Sequence, residues 1–204
     1  RHDHAPGFYS RSMRATIHAV ALAALAPSGK VSHEDLQRYH AQVKEMSLFG
    51  KAHYLLALTR VGGTAAMQAE VLDIIHAHAN ETSGKLVFSE EVDAAYKRIL
   101  DSSLRSNCAI LTAFLAAQEL RQSSPTPGDV PSKLVRTITQ TRQNRTHWAT
   151  TQENIFCMNA LSDFSRIYEP DEPRLTLRAY LDRDKLGEAE VQTYKAPAVD
   201  FQHP

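Results

Sequence analysis

An excess of charge of either sign is the first thing this sequence lacks. Lys+Arg and Asp+Glu both total 23, and no long run of one sign forms. A neutral surface gives no electrostatic reason to expect nucleic acid or an anionic membrane as a partner. Long apolar runs are missing as well. The longest small-apolar stretch, Ala19 to Ala26, falls well short of the roughly 18 residues that a membrane span needs. No secretory signal is visible. The chain opens Arg1-His2-Asp3-His4, without a methionine. It therefore reads as processed or as a piece of a larger protein, and the missing signal carries no information on location.

Cysteine is scarce. Only Cys108 and Cys157 occur, and sequence gives no distance between them, so a disulfide is open. Both fall on apolar sides of predicted helices. The expected state is two buried free thiols acting as small apolar residues.

Catalytic signatures are also missing. There is no Gly-x-Ser-x-Gly, no P-loop and no dinucleotide fingerprint, and no cofactor is expected. His76 and His78 form a His-x-His pair, but residues two apart on a helix point to different sides and do not share a metal easily. His2 and His4 lie in a polar terminus, and His33 and His40 lack an accompanying carboxylate motif. Glu90-Glu91 and Asp171-Glu172 read as solvated surface pairs with no acid–base logic tying them to a pocket. Nothing here predicts a catalytic residue, a thioester or a metal site.

What is present is amphipathic helix. Hydrophobic residues make up 43% of a chain long enough for one sizeable core. Met13, Ile17, Val20, Ala21, Ala24 and Leu25 recur at helical spacing, with Ser10 as cap and Pro27-Ser28-Gly29 as stop. A shorter helix over about 33–44 starts at Ser32, with Asp35 three positions on. A third, from Ser47, carries Leu48, Ala52, Leu55, Leu56 and Thr59 on one stripe and stops at Gly62-Gly63. A fourth, from Thr64, buries Met67, Val71, Ile74, Ile75 and His78. Lys85 to Phe88 is extended, and 89–100 is helix or looser turns.

The helix over about 104–121 is apolar nearly all round through Cys108, Ile110, Leu111, Ala113, Phe114, Leu115 and Ala117, so it should be buried on most sides. A proline-rich linker over 123–131 precedes a helix with Val130, Leu134 and Ile138 on one face. The last helix starts at Thr150-Thr151-Gln152-Glu153, where Thr150 and Glu153 fit a reciprocal capping box. Cys157, Leu161, Phe164 and Tyr168 form its stripe.

The pattern changes at Pro170. Leu175, Leu177, Ala179 and Leu181 alternate with polar residues at period two, which predicts a strand. A turn over 182–187 and a return strand over 188–194 follow. A lone hairpin is only marginally stable, so residues 170–204 read as the start of a β domain that continues elsewhere.

Three stretches carry a family resemblance. Ser47-Leu48-Phe49-Gly50-Lys51-Ala52-His53-Tyr54-Leu55-Leu56-Ala57-Leu58 is similar to the helix pair at the middle of the helical domain of bacterial alpha-2-macroglobulins. Leu104-Arg105-Ser106-Asn107-Cys108-Ala109-Ile110-Leu111 resembles the helix after the extended segment there. Trp148-Ala149-Thr150-Thr151-Gln152-Glu153-Asn154 closely resembles the start of that domain's last helix, where a Trp precedes Thr-Gln-Glu-Asn. The likeness covers roughly residues 9–195.

It implies a fold, the α/α toroid of thioester domains, present here in its later part over residues 1–169. It also implies a role in trapping attacking proteases, in the periplasm and often anchored to the inner membrane. The partners implied are the other domains of the same polypeptide and, through the parent protein, its target proteases and any membrane attachment. A thioester needs a glutamine three residues after its cysteine. Cys108 is followed by Ala109-Ile110-Leu111 and Cys157 by Met158-Asn159-Ala160, so neither qualifies. The implied motif and the protease bait would lie upstream, or the parent belongs to the thioester-lacking group.

Trp148, Thr150, Thr151, Gln152, Glu153 and Asn154 are the sharpest feature. They read as a capped helix start with an aromatic anchor, with Gln152 or Asn154 facing the toroid centre or a neighbouring domain. Two other classes stand beside this one. A helical-repeat interaction module fits the helices, although no fixed repeat period is visible. A toroid-fold terpene cyclase or prenyltransferase would need an acidic motif or zinc site that the sequence does not offer.

Overall fold

The computed structural model describes residues 7–92, 96, 101–121, 129–144, 146–169, 174–193, 199 and 201. The chain is mainly helical, with seven α-helices and two small antiparallel hairpins among the described residues. It divides into two compact units, Arg1–Phe164 and Ser165–Pro204.

Helix α1 (Arg11–Leu25) starts where the Ser10 hydroxyl accepts from Met13 N, and a 3₁₀ turn at Ala26–Ser28 ends it before Gly29 at φ 69°. Its buried face is not the expected one. Met13, Ala15, Thr16, Ala19 and Leu22 face inward, while Ile17 and Leu25 are exposed. The reason is a close approach to α3 (Leu48–Arg60), which selects small residues over bulky ones. A Cβ added at Gly50 of α3 would stand 2.9 Å from Thr16 Oγ1 and 3.0 Å from Thr16 Cα. Hydrophobic periodicity weighs bulk, so it turned the helix the wrong way.

Gly50→Ala should therefore destabilise the protein by about 1–3 kcal/mol through overpacking. That exceeds the roughly 1 kcal/mol alanine gains in helix propensity. Urea unfolding followed by circular dichroism reads this directly, and an unchanged midpoint would mean that α1 and α3 part without cost.

Helix α2 (His33–His40) carries the expected capping box. Asp35 N donates to Ser32 Oγ at 3.1 Å and Ser32 N donates to Asp35 Oδ2 at 3.0 Å. The Ser32 N–H and the Ser32 hydroxyl, which donates to the same Oδ2 at 2.7 Å, hold the Asp35 carboxyl below its usual range. The helix is shorter than expected and gives way to a 3₁₀ turn at Val43–Glu45.

Helix α3 is central rather than one-sided. Leu48, Phe49, Gly50, Lys51, Ala52, Tyr54, Leu55, Ala57 and Leu58 are all buried, and α1, α4 (Ala65–His76) and α5 (Ser103–Leu120) pack around it. A single stripe could not describe a helix with three neighbours. On α4, Gln68, Val71 and Ile75 are buried and Met67 and Ile74 only partly so; His78, expected on this helix, falls beyond its end and is half-buried. Helix α5 is buried along Arg105–Leu111 and at Ala113, Phe114, Leu115 and Ala117, as its all-round apolar character requires.

The polar cluster after α4 forms a hairpin instead of a loop. Strand β1 (Ala79–Thr82) pairs with β2 (Lys85–Phe88), and Ser83 and Gly84 take positive φ in a two-residue turn. Leu86 and Phe88 are buried. Leu86 N donates to Thr137 Oγ1 of α6 (Val130–Gln140) at 3.2 Å. Asn107 of α5 brackets Phe88, accepting from its N–H at 2.8 Å and donating to its carbonyl at 2.9 Å. Most of the expected segment 89–100, and of the linker over 123–131, lies outside the described residues.

Helix α7 (Thr151–Tyr168) leads out of the first unit. In the second, β3 (Leu175–Leu181) pairs with β4 (Asp184–Val191), with a register shift between Ala179 and Tyr180. The return strand starts earlier than expected. Asp182 adopts φ 53°, so a two-residue turn suffices and Asp184 to Gly187 join the strand. Gly187 has no side chain to block Phe201, whose ring would lie 2.4 Å from a Cβ there. Leu175, Leu177, Tyr180 and Leu181 stay exposed.

Candidate functional site

The start of α7 is built from the residues the sequence singled out. Thr150 and Glu153 close the capping box, with Thr150 N donating to Glu153 Oε2 at 3.2 Å and Glu153 N to Thr150 Oγ1 at 3.1 Å. Asn154 adds a second clamp. Its Oδ1 accepts from Trp148 N at 3.1 Å, and its Nδ2 donates to the carbonyls of Trp148 at 2.9 Å and Thr150 at 2.7 Å. Trp148 is thereby fixed, 4% exposed, with its indole N–H donating to Ile138 O and Thr141 Oγ1. Thr151 is exposed.

Asn154→Ala strips both backbone polar groups of Trp148 of their side-chain partner. It should cost about 1–3 kcal/mol, read by thermal unfolding. A loss below about 0.5 kcal/mol would mean that water replaces the amide.

Gln152 and Glu153 turn toward α5. Arg105, 5% exposed, donates from Nη1 to Gln152 Oε1 at 2.6 Å and lies with its guanidinium carbon 4.2 Å from the Phe49 ring centre. Its Nη2 stands 3.7 Å from Asp101. Ser102 Oγ donates to Glu153 Oε1 at 2.5 Å. Phe156 meets Phe49 edge-on at 5.2 Å. Gln152 and Asn154 thus hold the first unit together, where the sequence suggested that one of them faces a toroid centre or another domain.

The expectation for the cysteines is overturned. Cys108 of α5 and Cys157 of α7 form a disulfide, with Cα atoms 4.9 Å apart and both residues fully buried. Their separation of 49 in sequence held no trace of this distance. The two cysteines meet because the start of α7 lies beside the start of α5, where Gln152 takes a hydrogen bond from Arg105 and Glu153 one from Ser102.

A second polar site was missed. A cleft of about 830 Å³ lies between the start of α1, the start of α3 and residues 89–92 with Tyr96. The hydroxyls of Ser12, Tyr96, Thr16 and Ser47 form a chain along it, with links of 2.7, 3.1 and 3.1 Å. Lys51, 4% exposed, donates from Nζ to Met46 O. Burial pushes its amine below the ordinary lysine range. Glu90 accepts from Leu48 N at 2.6 Å, and burial pushes its carboxyl up. Glu90 is therefore no solvated surface acid, although its neighbour Glu91 is exposed. A lysine in the midst of an apolar run was the available signal, since lysine is almost never fully buried unless paired.

The remaining candidates stay apart. His76 ends α4 and stacks on Phe114 at 5.1 Å, while His78 lies beyond the helix near Ser89. His40 pairs with Glu70 at 2.9 Å. No group of three metal-ligating side chains occurs among the described residues. His2, His4, Asp171 and Glu172 lie outside them. No described helix is long and apolar enough to cross a membrane. No family model and no curated protein matches the chain.

Proposed function

We propose that this chain is the later part of the α/α toroid of a bacterial alpha-2-macroglobulin-like protein, a trap for attacking proteases. Its own contribution is scaffold and interdomain contact surface, not catalysis. The observation that carries this reading is the helix start at Trp148–Asn154. Its residues resemble the family's last toroid helix, and each of Trp148, Thr150, Gln152, Glu153 and Asn154 has a defined structural job there. Helices packed as neighbours around α3 and α5 also suit a toroid.

The disulfide supports an oxidising compartment such as the periplasm, because cytosolic proteins keep their thiols reduced. It also engages both sulfurs, so a thioester, if the parent has one, is formed by another cysteine. Partners on this reading are the parent's other domains and its target proteases, with membrane attachment only through the parent.

The test uses the full-length gene and its product. The gene should encode many β domains beside this one. The purified protein, mixed with trypsin, should be cut and then co-elute with trypsin on size exclusion. A reading frame holding this helical domain alone, or a protein that trypsin leaves unassociated at every ratio, overturns the reading. Methylamine incorporation then separates a thioester-bearing parent from a thioester-free one.

A further inference from the structure

We draw no further inference here: the strongest candidate, the apolar face of the β3–β4 hairpin on which Leu175, Leu177 and Leu181 stand exposed, carries nothing because nothing in the structure shows what covers those leucines.

Discussion

Replacing Cys108 and Cys157 together by serine should lower the free energy of unfolding by about 4 kcal/mol. That is the chain-entropy value for a bridge spanning 49 residues. Small domains have only about 5–15 kcal/mol in all, so the loss is a large share of the total. The bridge is not an ornament on an otherwise complete core. It ties α7 to α5 beside the Arg105–Gln152 and Ser102–Glu153 hydrogen bonds, and all of these share one short stretch of each helix.

Urea unfolding of the oxidised protein, the reduced protein and the double variant makes the comparison. Dithiothreitol should bring the wild type down to the variant and leave the variant unmoved. A difference below about 1 kcal/mol would show that helix packing alone holds α7, and would remove the support that the disulfide gives to an oxidising compartment.

Trp148→Ala should cost about 3–5 kcal/mol, the range for deleting a large buried aromatic side chain. The side chain is 4% exposed and its indole N–H satisfies the Ile138 carbonyl and the Thr141 hydroxyl at the end of α6. Trp148→Phe separates the two contributions. It keeps most of the ring contact and removes the two hydrogen bonds, so it should cost about 1–3 kcal/mol. Trp148 is the sole tryptophan, so its fluorescence in the wild type reports this site alone. Its emission should shift to the red in the same transition that circular dichroism records. An earlier fluorescence transition would mean that the α7 start opens before the helices melt, and would contradict its role as an anchor.

Much of the helical order was legible because caps and breakers are local. Ser10, Ser32 with Asp35, Ser47 and the Thr150–Glu153 box each mark a start with side chains that bond the backbone within three residues. The long apolar face of α5 likewise announced a buried helix. What escaped depends on partners far along the chain. The inward face of α1 is chosen by Gly50, and the disulfide by α5 meeting α7. Glu90 looked like a surface acid until residues 44–47 with Lys51 and residues 89–92 came to line one cleft. The Trp148–Asn154 start was visible as a motif. That its Gln152 answers a buried arginine on another helix was not, because no pattern within either helix encodes the pairing.

The β1–β2 hairpin has a bearing on self-association. A strand pair exposes one row of backbone donors and acceptors on each outer edge, and such rows template the addition of further strands. On β2 that row is filled from two helices. Thr137 accepts from Leu86 N, and the Asn107 amide both accepts from and donates to Phe88 as a third strand would. The side chains act as a plug against edge-to-edge growth. Because Phe88 and Asn107 are both buried, removing the Asn107 amide would leave the Phe88 N–H and carbonyl unpaired in the interior, and only partial opening of α5 from the hairpin would turn that edge into a template for another strand.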